Sequence, residues 1–313
     1  MRLRNFIMAA AILPISAAPA AAQEATIQSC GQSYTYDKAP ARAVTLNQQA
    51  TEVMLALGLQ DRMVGTAYMD DEILPQWRDA YHEVPILAEK YPAREVVITS
   101  DPDFLFAGFG SAFSEDNLGE RENWHDLGIG TYLVDASCDL AHPKDVPLTT
   151  APIVTDIRTI GDIFGVEDRA EALITEIEAR LDAAMVENAG LGRSAFIFDS
   201  GSETPYSIGC CGGPGLLVET VGLTNISDDV EGRWVYLSWE RVVINNPDLI
   251  VLIEADWSTA AEKRAYMEAD PVLSQLDAVV NGRFVTLPFS QTVLGMQFAD
   301  GLDNLTAQLA ALE

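Results

Sequence analysis

The strongest constraint on the fold is a helical pattern that runs without interruption from residue 167 to residue 188. Apolar residues recur there at three- and four-residue steps with no Gly or Pro between them, so the segment predicts one long helix with a single apolar face. Glu167 and Asp168 in the first turn suit the helix dipole, and Gly190 follows as the expected left-handed cap. Such a helix spans roughly 30 Å, enough to join two lobes. The apolar face consists of Ala170, Leu173, Ile174, Ile177, Leu181, Ala184 and Met185.

The segments on either side of this helix share a pattern. Glu95 is followed by a Pro-Asp pair at positions 102 and 103 and then by a strand-like apolar run. Glu240 is followed, at the same spacing, by a Pro-Asp pair at positions 247 and 248 and by a second such run. A helix in each half also ends alike, at Gly58 and at Gly222. The repeat therefore indicates two lobes of like topology.

Strand-like and helix-like runs alternate through both segments, which predicts crossover units and largely parallel sheets. At 313 residues the chain is long enough for two hydrophobic cores. We therefore expect an α/β fold with two Rossmann-like lobes joined by one long helix. The expected boundaries are residues 23–165 for the N-terminal lobe, 166–189 for the linking helix and 190–313 for the C-terminal lobe.

The charge of the chain excludes several kinds of partner. There are 47 acidic and 19 basic residues, with a formal net charge of −28. Phosphate backbones and anionic membrane surfaces would repel such a surface. We expect neither a nucleic-acid partner nor insertion into a membrane.

The N-terminal segment 1–22 has the organisation of a cleaved secretory signal. Arg2 and Arg4 precede an apolar run that is too short to span a bilayer, and small residues end the segment before Gln23. We therefore expect an exported, periplasmic protein.

Export permits disulfide bonds, and the chain has four cysteines. The pairing that we favour is Cys30 with Cys138. Cys210 and Cys211 are then left either as two thiols or as a vicinal disulfide.

Motifs for catalysis and metal binding are incomplete. His82, His125 and His142 are scattered, and the His82-Glu83 pair lacks the second histidine of a zinc protease motif. The sequence has neither a phosphate-binding lysine loop nor a nucleophile elbow. We expect no catalytic residues, no resident cofactor and no metal site.

Ligands of parallel sheets bind beyond the carboxyl ends of the strands. The residues predicted at those ends and in nearby loops are mostly aromatic or amide-bearing, which suits a bulky, partly apolar ligand between two lobes. A glycine-rich loop at 209–215 either holds an anionic group, with Arg233 as its partner, or forms only a tight turn. The candidate ligand-binding residues are Gln48, Tyr68, Met69, Lys90, Tyr91, Phe109, Tyr206, Cys210, Cys211, Arg233, Trp234, Tyr236, Phe289 and Gln291.

The ordered set of motifs resembles the periplasmic substrate-binding proteins of ABC importers for iron siderophores and cobalamin. The resemblance covers essentially the whole mature chain and rests on the strand at 43–46, the long helix and the two repeated motifs at 95–103 and 240–248. It implies a non-catalytic protein that holds its ligand in the cleft between two lobes. A glutamate on each lobe of that family docks onto arginines of the two permease subunits, which assigns this role to Glu95 and Glu240.

The resemblance favours a ferric siderophore or another bulky metal chelate as the ligand, delivered by a monomer to a permease dimer with its ATPase. Cobalamin is the second candidate, and an anionic cofactor precursor is the third. A rival of another class is a periplasmic enzyme that uses Cys210 or Cys211 as its reactive thiol. A further rival is a protein that binds bare metal ions.

Overall fold

The computed structural model describes residues 24–138, 148–185, 189–190 and 192–312. The predicted secretory signal lies outside these residues. Across the described part of the chain, no helix combines the length and the apolar character needed to cross a membrane.

The strands of the described residues alternate with helices along most of the chain. The strands are β1 Ala25–Ser29, β2 Gln32–Tyr36, β3 Ala43–Leu46, β4 Met63–Ala67, β5 Ile86–Ala88, β6 Phe104–Ala107, β7 Gly130–Leu133, β8 Ser194–Phe198, β9 Tyr206–Ile208, β10 Thr224–Asn225, β11 Trp234–Tyr236, β12 Leu249–Glu254 and β13 Phe284–Pro288. The α-helices are α1 Gln48–Ala56, α2 Arg78–His82, α3 Arg94–Thr99, α4 Arg121–His125, α5 Ala151–Phe164, α6 Glu167–Ala184, α7 Gly213–Thr220, α8 Trp239–Asn245, α9 Ala260–Ala269, α10 Asp277–Val280 and α11 Phe298–Ala311.

Two parallel sheets form the frames of the two lobes. In the described residues, the first sheet has the order β5-β4-β3-β6-β7 and the second has the order β10-β8-β12-β13, and every pairing in both is parallel. The central strands β3 and β6 are buried along their whole length, because helices cover both faces of such a sheet. The predicted α/β fold with two Rossmann-like lobes is confirmed.

Helix α6 links the two lobes. Near its start, the Arg169 side chain donates a hydrogen bond of 2.7 Å to the Leu57 carbonyl in the first lobe. Near its end, Arg180 contacts Asp300 of α11 in the second lobe, at 2.6 Å. The predicted face is buried at Ala170, Ile174, Ile177, Leu181 and Ala184, partly buried at Leu173 and exposed at Met185.

The end of this helix differs from the prediction. The helix ends at Ala184, and Met185 has an extended conformation, whereas we expected the helix to continue to residue 188; residues 186–188 lie outside the described residues. Gly190 is not its left-handed cap, since the positive φ in this region belongs to Gly192. Gly190 is required for another reason, because a β-carbon there would lie 2.7 Å from the backbone nitrogen of Leu223.

Helix α5 precedes the linking helix and was not assigned from the sequence. It packs against α6 where Gly161 meets Ala170, and a β-carbon on Gly161 would lie 2.4 Å from that of Ala170. The buried Asp156 accepts a hydrogen bond of 2.7 Å from Tyr132 of the first sheet. The left-handed Gly165 ends the helix and turns the chain into α6. Helix α5 therefore holds α6 against the first lobe.

The repeated Pro-Asp pairs have the same structural task in both lobes. The Asp103 carboxylate accepts a hydrogen bond of 2.8 Å from the backbone nitrogen of Arg42, just before β3. The Asp248 carboxylate accepts one of 2.7 Å from the backbone nitrogen of Ser194, at the start of β8. Each aspartate thus fixes the beginning of the neighbouring central strand.

Both cysteine pairs are joined. The Cys30–Cys138 disulfide connects the turn of the β1–β2 hairpin to the segment after β7, with 5.0 Å between the two α-carbons. The predicted pairing is confirmed. Cys210 and Cys211 form a vicinal disulfide, and the described residues include no free cysteine.

Candidate functional site

A cavity of about 820 Å³ opens between the lobes, at the carboxyl ends of strands from both sheets. The first lobe contributes residues that follow β3, β4, β6 and β7, and the second contributes the residue that follows β8 and the loops around β9 and β11. This is the place where parallel sheets hold their ligands. The volume suits an organic molecule of substantial size.

Stacked aromatic rings form the wall on the second lobe. Tyr206 stacks on Trp234 with 5.8 Å between ring centroids, and Trp234 stacks on Phe289 at 5.6 Å. Phe289 also meets Trp257 edge to face, and it meets Phe109 of the first lobe in the same way at 6.0 Å. The wall therefore offers a continuous apolar surface that reaches across the cleft.

The opposite wall is built on strained backbone. Asn47 and Tyr68, which follow β3 and β4 directly, have positive φ angles of 75° and 63°. Such a conformation costs a residue with a β-carbon roughly 1–3 kcal/mol and is concentrated at functional sites. The Tyr91 hydroxyl donates to the Asn47 side chain at 3.0 Å, and its ring contacts Tyr68 edge to face at 4.7 Å.

Two buried carboxylates lie at the cavity, one from each lobe. Burial, together with the neighbouring charge of Asp71, raises the pKa of Asp70 to about 7. Burial also raises the pKa of Asp199 to about 6, against the lowering effects of the Ser200 hydroxyl and the Lys263 charge. One oxygen of Asp70 and one of Asp199 have no hydrogen-bond partner among the described residues.

The glycine-rich loop is shaped by close packing. The backbone nitrogens of Gly209 and Cys210 donate to the carbonyls of Arg233 and Val230, so neither is directed at a ligand. A β-carbon on Gly209 would lie 2.4 Å from the carbonyl oxygen of Gly232. The Arg233 side chain lines the cavity and donates to the Cys138 carbonyl of the first lobe at 3.1 Å. The contacts at Gly209 and Cys210 fit a tight turn, whereas Cys211, Gly212 and Gly213 of the same loop line the cavity.

Most of the predicted ligand residues lie together at the cavity, although their role in binding stays a prediction. Lys90 and Tyr236 are exposed away from the cavity lining, and Gln291 instead accepts a hydrogen bond from Asn304 at 3.0 Å. Cys210 and Met69 also lie outside the lining. The predicted residues that line the cavity are Tyr68, Tyr91, Phe109, Tyr206, Cys211, Arg233, Trp234 and Phe289.

Gln48 belongs to a polar seam that joins the lobes beneath the cavity. Its amide nitrogen donates to Glu52 and to Asp71, both at 3.0 Å. Glu52 also accepts a hydrogen bond from Gln297 of the second lobe. Asp71 accepts hydrogen bonds from the nitrogen and the hydroxyl of Ser290 at 2.9 and 2.7 Å. Gln48 therefore connects the lobes through their side chains.

The sequence interpretation overlooked Asn47, Asp70, Asp199 and Trp257, all of which line the cavity. Asp199 comes directly after β8, at the carboxyl end of a parallel strand where ligands are expected to bind, so its position in the sequence was a usable signal. The residues that we selected were mostly aromatic or amide-bearing, and no aspartate was among them. Only the fold reveals that Asp70 and Asp199 are buried.

The contacts give no support to the thiol enzyme. The rival function needs a reactive thiol at Cys210 or Cys211, and the two sulfur atoms are bonded to each other. Among the described residues, no three His, Cys, Asp or Glu side chains converge as metal ligands.

Two parallel-sheet lobes, a linking helix and a cavity at the opposed strand ends define a protein that holds a small molecule in a cleft. The family model described as periplasmic binding protein matches residues 44–291, and the chain belongs to this family. The uncharacterized ABC transporter substrate-binding lipoprotein YvrC of Bacillus subtilis (strain 168) is 25% identical over 284 residues, which are 89% of this chain and 82% of the relative.

Solved structures agree with this placement. A periplasmic binding protein from Veillonella parvula DSM 2008 has a TM-score of 0.78 and 26% identity, with 92% of this chain and 97% of that chain covered. A protein described as the ABC-type Fe3+-hydroxamate transport system from Saccharomonospora viridis DSM 43017 has a TM-score of 0.76 and 25% identity, with 91% and 98% covered. The protein is thus a binding protein of this periplasmic family and not an enzyme.

Proposed function

We propose that the protein captures a bulky iron chelate of the ferric siderophore type between its lobes and delivers it to an ABC importer. The observation that carries this proposal is the aromatic-walled cavity of about 820 Å³ between the two lobes. A flat aromatic surface suits the apolar periphery of a chelate whose metal is already enclosed by its own ligands. The similarity to the Fe3+-hydroxamate transport protein supports the same class.

The charges of the cavity favour a neutral or cationic chelate. In the described residues, its lining includes the carboxylates Asp70, Asp135 and Asp199 and one guanidinium, that of Arg233. An anionic catecholate or a phosphate-bearing cofactor precursor would meet more repulsion than attraction there. Cobalamin stays the second candidate, because the aromatic wall suits its large apolar surface as well.

Native mass spectrometry tests the ligand class. The mature protein is incubated with a panel of ferric hydroxamates, ferric catecholates and cobalamins, and the spectrum is recorded under non-denaturing conditions. We expect a one-to-one adduct with a ferric hydroxamate. An adduct with cobalamin alone, or with catecholates alone, would contradict the proposal.

Glu95 and Glu240 are proposed as the two contacts with the permease. Each is the second residue of a short helix, α3 or α8, and each is exposed. Within the described part of the chain, neither side chain has a hydrogen bond or an ion pair, whereas the Pro-Asp pairs of the same repeat fix strands. The repeated acid therefore has no partner inside the described fold, which supports a partner outside it.

Exposed apolar side chains surround both glutamates. Val96 and Ile98 lie beside Glu95, with 41% and 47% of their surfaces exposed, and Ile244, on the same face of α8 as Glu240, is 82% exposed. An acid among exposed apolar residues has the composition of a protein interface, in which the charge sets orientation and encounter rate.

Charge reversal tests the docking role. The double variant Glu95→Lys and Glu240→Lys should lose chelate uptake in cells while the purified protein keeps its affinity for the chelate. The matched control reverses two other exposed glutamates, Glu83→Lys and Glu176→Lys, and should transport normally. Undiminished uptake in the first double variant would refute the docking role.

We further propose that residues 1–22 are removed on export to the periplasm and that the mature protein is a monomer. The mass of the exported protein should correspond to a chain that starts at Gln23, and sedimentation should give the mass of one chain. A longer N-terminus or a dimer would contradict these two points separately.

A further inference from the structure

Two carboxylates from opposite lobes meet at the cavity without enough hydrogen-bond donors. Asp70 follows β4 and Asp199 follows β8, and both line the cavity although only 3% and 1% of their surfaces are exposed. Each has one oxygen that is buried and lacks any hydrogen-bond partner in the described structure. The charge of Asp199 acts on Asp70, and both charges act on Tyr68, so the three groups are neighbours.

The other oxygens of these carboxylates are satisfied by the fold. The Ser200 hydroxyl donates to the second oxygen of Asp199 at 2.8 Å, and the Trp257 side chain acts on Asp70 as a donor that lowers its pKa. A buried acceptor without a partner costs about 1–3 kcal/mol, so two unpaired oxygens at one cavity indicate a donor that arrives with the ligand.

Among the described residues, the ammonium group whose charge acts on Asp199 is that of Lys263, and it is committed elsewhere. Lys263 directs its Nζ at backbone carbonyls, with distances of 2.6 Å to Asp199 and 2.8 Å to Ser258, and a further hydrogen bond to Ile253. An ammonium has three donors, and these carbonyls use all of them. Lys263 therefore leaves the unpaired carboxylate oxygen of Asp199 unsatisfied.

The surroundings of the two carboxylates suit a positive charge. Asp71 and Asp256 add their negative charges near Asp70. The rings of Tyr68, Tyr206 and Trp257 line the same cavity, and aromatic faces attract cations. A bare metal ion is not favoured, because the described residues lack a group of three metal-ligating side chains.

We propose that Asp70 and Asp199 form a subsite for a primary ammonium group carried by the ligand. One ammonium donates N–H groups to the unpaired oxygen of each carboxylate, so that both lobes bind the same positive charge. The inference deepens the proposed function and rests on it for the remainder of the ligand. It names the cargo as an amine-bearing cationic chelate.

The subsite is tested first with a small probe that requires no chelate. Butylammonium is titrated at constant ionic strength while tryptophan fluorescence is followed, since Trp234 and Trp257 line the cavity. N-butylacetamide, which lacks the charge, is the matched neutral probe. We expect at least tenfold tighter binding of butylammonium, and Asp70→Asn or Asp199→Asn should abolish that preference.

The control variant is Asp116→Asn, which removes an exposed carboxylate that does not line the cavity. It should keep the preference for the ammonium. Equal binding of the two probes by the wild-type protein, or an equal loss in Asp116→Asn, would overturn the subsite. If an Asn variant fails to fold, the comparison of butylammonium with N-butylacetamide on the wild-type protein is sufficient to test the subsite.

A second comparison separates this inference from the proposed function. Ferrioxamine B, a ferric trihydroxamate with a free ammonium, is compared with its N-acetylated form, in which the charge is removed. Tighter binding of the free amine supports both proposals. Equal binding of both chelates keeps the iron-chelate function and refutes the subsite. Binding of butylammonium but of no ferric chelate supports the subsite and refutes the proposed function.

Discussion

The substitution Glu52→Gln tests the physical chemistry of the seam between the lobes. Burial raises the pKa of Glu52 from 4.5 to about 8, although Gln48 and Gln297 donate hydrogen bonds to the carboxylate. The folded protein therefore binds this proton more tightly than the unfolded chain does. The stability that the proton contributes is fully present below about pH 4.5 and is lost as the pH rises through about 8.

The size of the effect follows from proton linkage. One proton bound only in the folded state changes the free energy of unfolding by about 1.4 kcal/mol per pH unit, or about 4 kcal/mol between pH 5 and pH 8 as an upper bound. Glutamine keeps the accepting oxygen but does not titrate. The variant should therefore gain stability relative to the wild type as the pH rises, with a slope that approaches this value.

Urea unfolding, followed by tryptophan fluorescence at several pH values, measures that slope. The difference between variant and wild type removes the contributions of the other buried carboxyl groups, which are common to both proteins. Glu176→Gln, at an exposed position of α6, is the control and should leave the pH dependence unchanged. Parallel pH profiles for Glu52→Gln and the wild type would refute the reasoning.

Three further changes probe other parts of the fold. Replacing Cys30 and Cys138 by serine should cost about 2–5 kcal/mol in urea unfolding, because the disulfide closes a loop of 108 residues; an unchanged midpoint would contradict this. Gly209→Ala should lower the melting temperature, since its β-carbon would meet a carbonyl oxygen at 2.4 Å, whereas Gly215→Ala meets nothing closer than 3.5 Å and should not. Phe289→Ala should weaken chelate binding at least tenfold in a fluorescence titration, because three aromatic contacts meet on this ring; unchanged affinity would exclude the aromatic wall from the site.

Local sequence patterns were sufficient to predict the central strands and the linking helix. The strand at 43–46 has the predicted bounds, and a buried strand follows the Pro-Asp pair at 102 and 103 as predicted, because fully buried parallel strands are continuous apolar runs in the sequence. The apolar face of α6 was predictable from its spacing, since one side of that helix is buried along its length.

The missing elements depend on contacts between distant residues. Helix α5 has a proline in its first turn, where proline is well tolerated although it breaks a helix further inside. Strand β2 consists of polar residues and Tyr, and pairing with β1 rather than its own composition makes it a strand. Asp70 and Asp199 are buried at the cavity between the lobes, and no local pattern in the sequence marks them as buried.

The polar seam has a consequence for how cargo is handed over. Three hydrogen bonds hold the two lobes together at the base of the cleft. They join Gln297 to Glu52, Ser290 to Asp71 and the Asp256 backbone nitrogen to the Asp70 carbonyl. Each such bond contributes about 1 kcal/mol, so breaking all of them costs several kcal/mol and is a rare thermal event. A ligand that enters from the open side of the cleft leaves these hydrogen bonds intact. Separating the two lobes would break them and would require free energy supplied from outside the protein. Loading would then be passive, and unloading would be driven by the transporter.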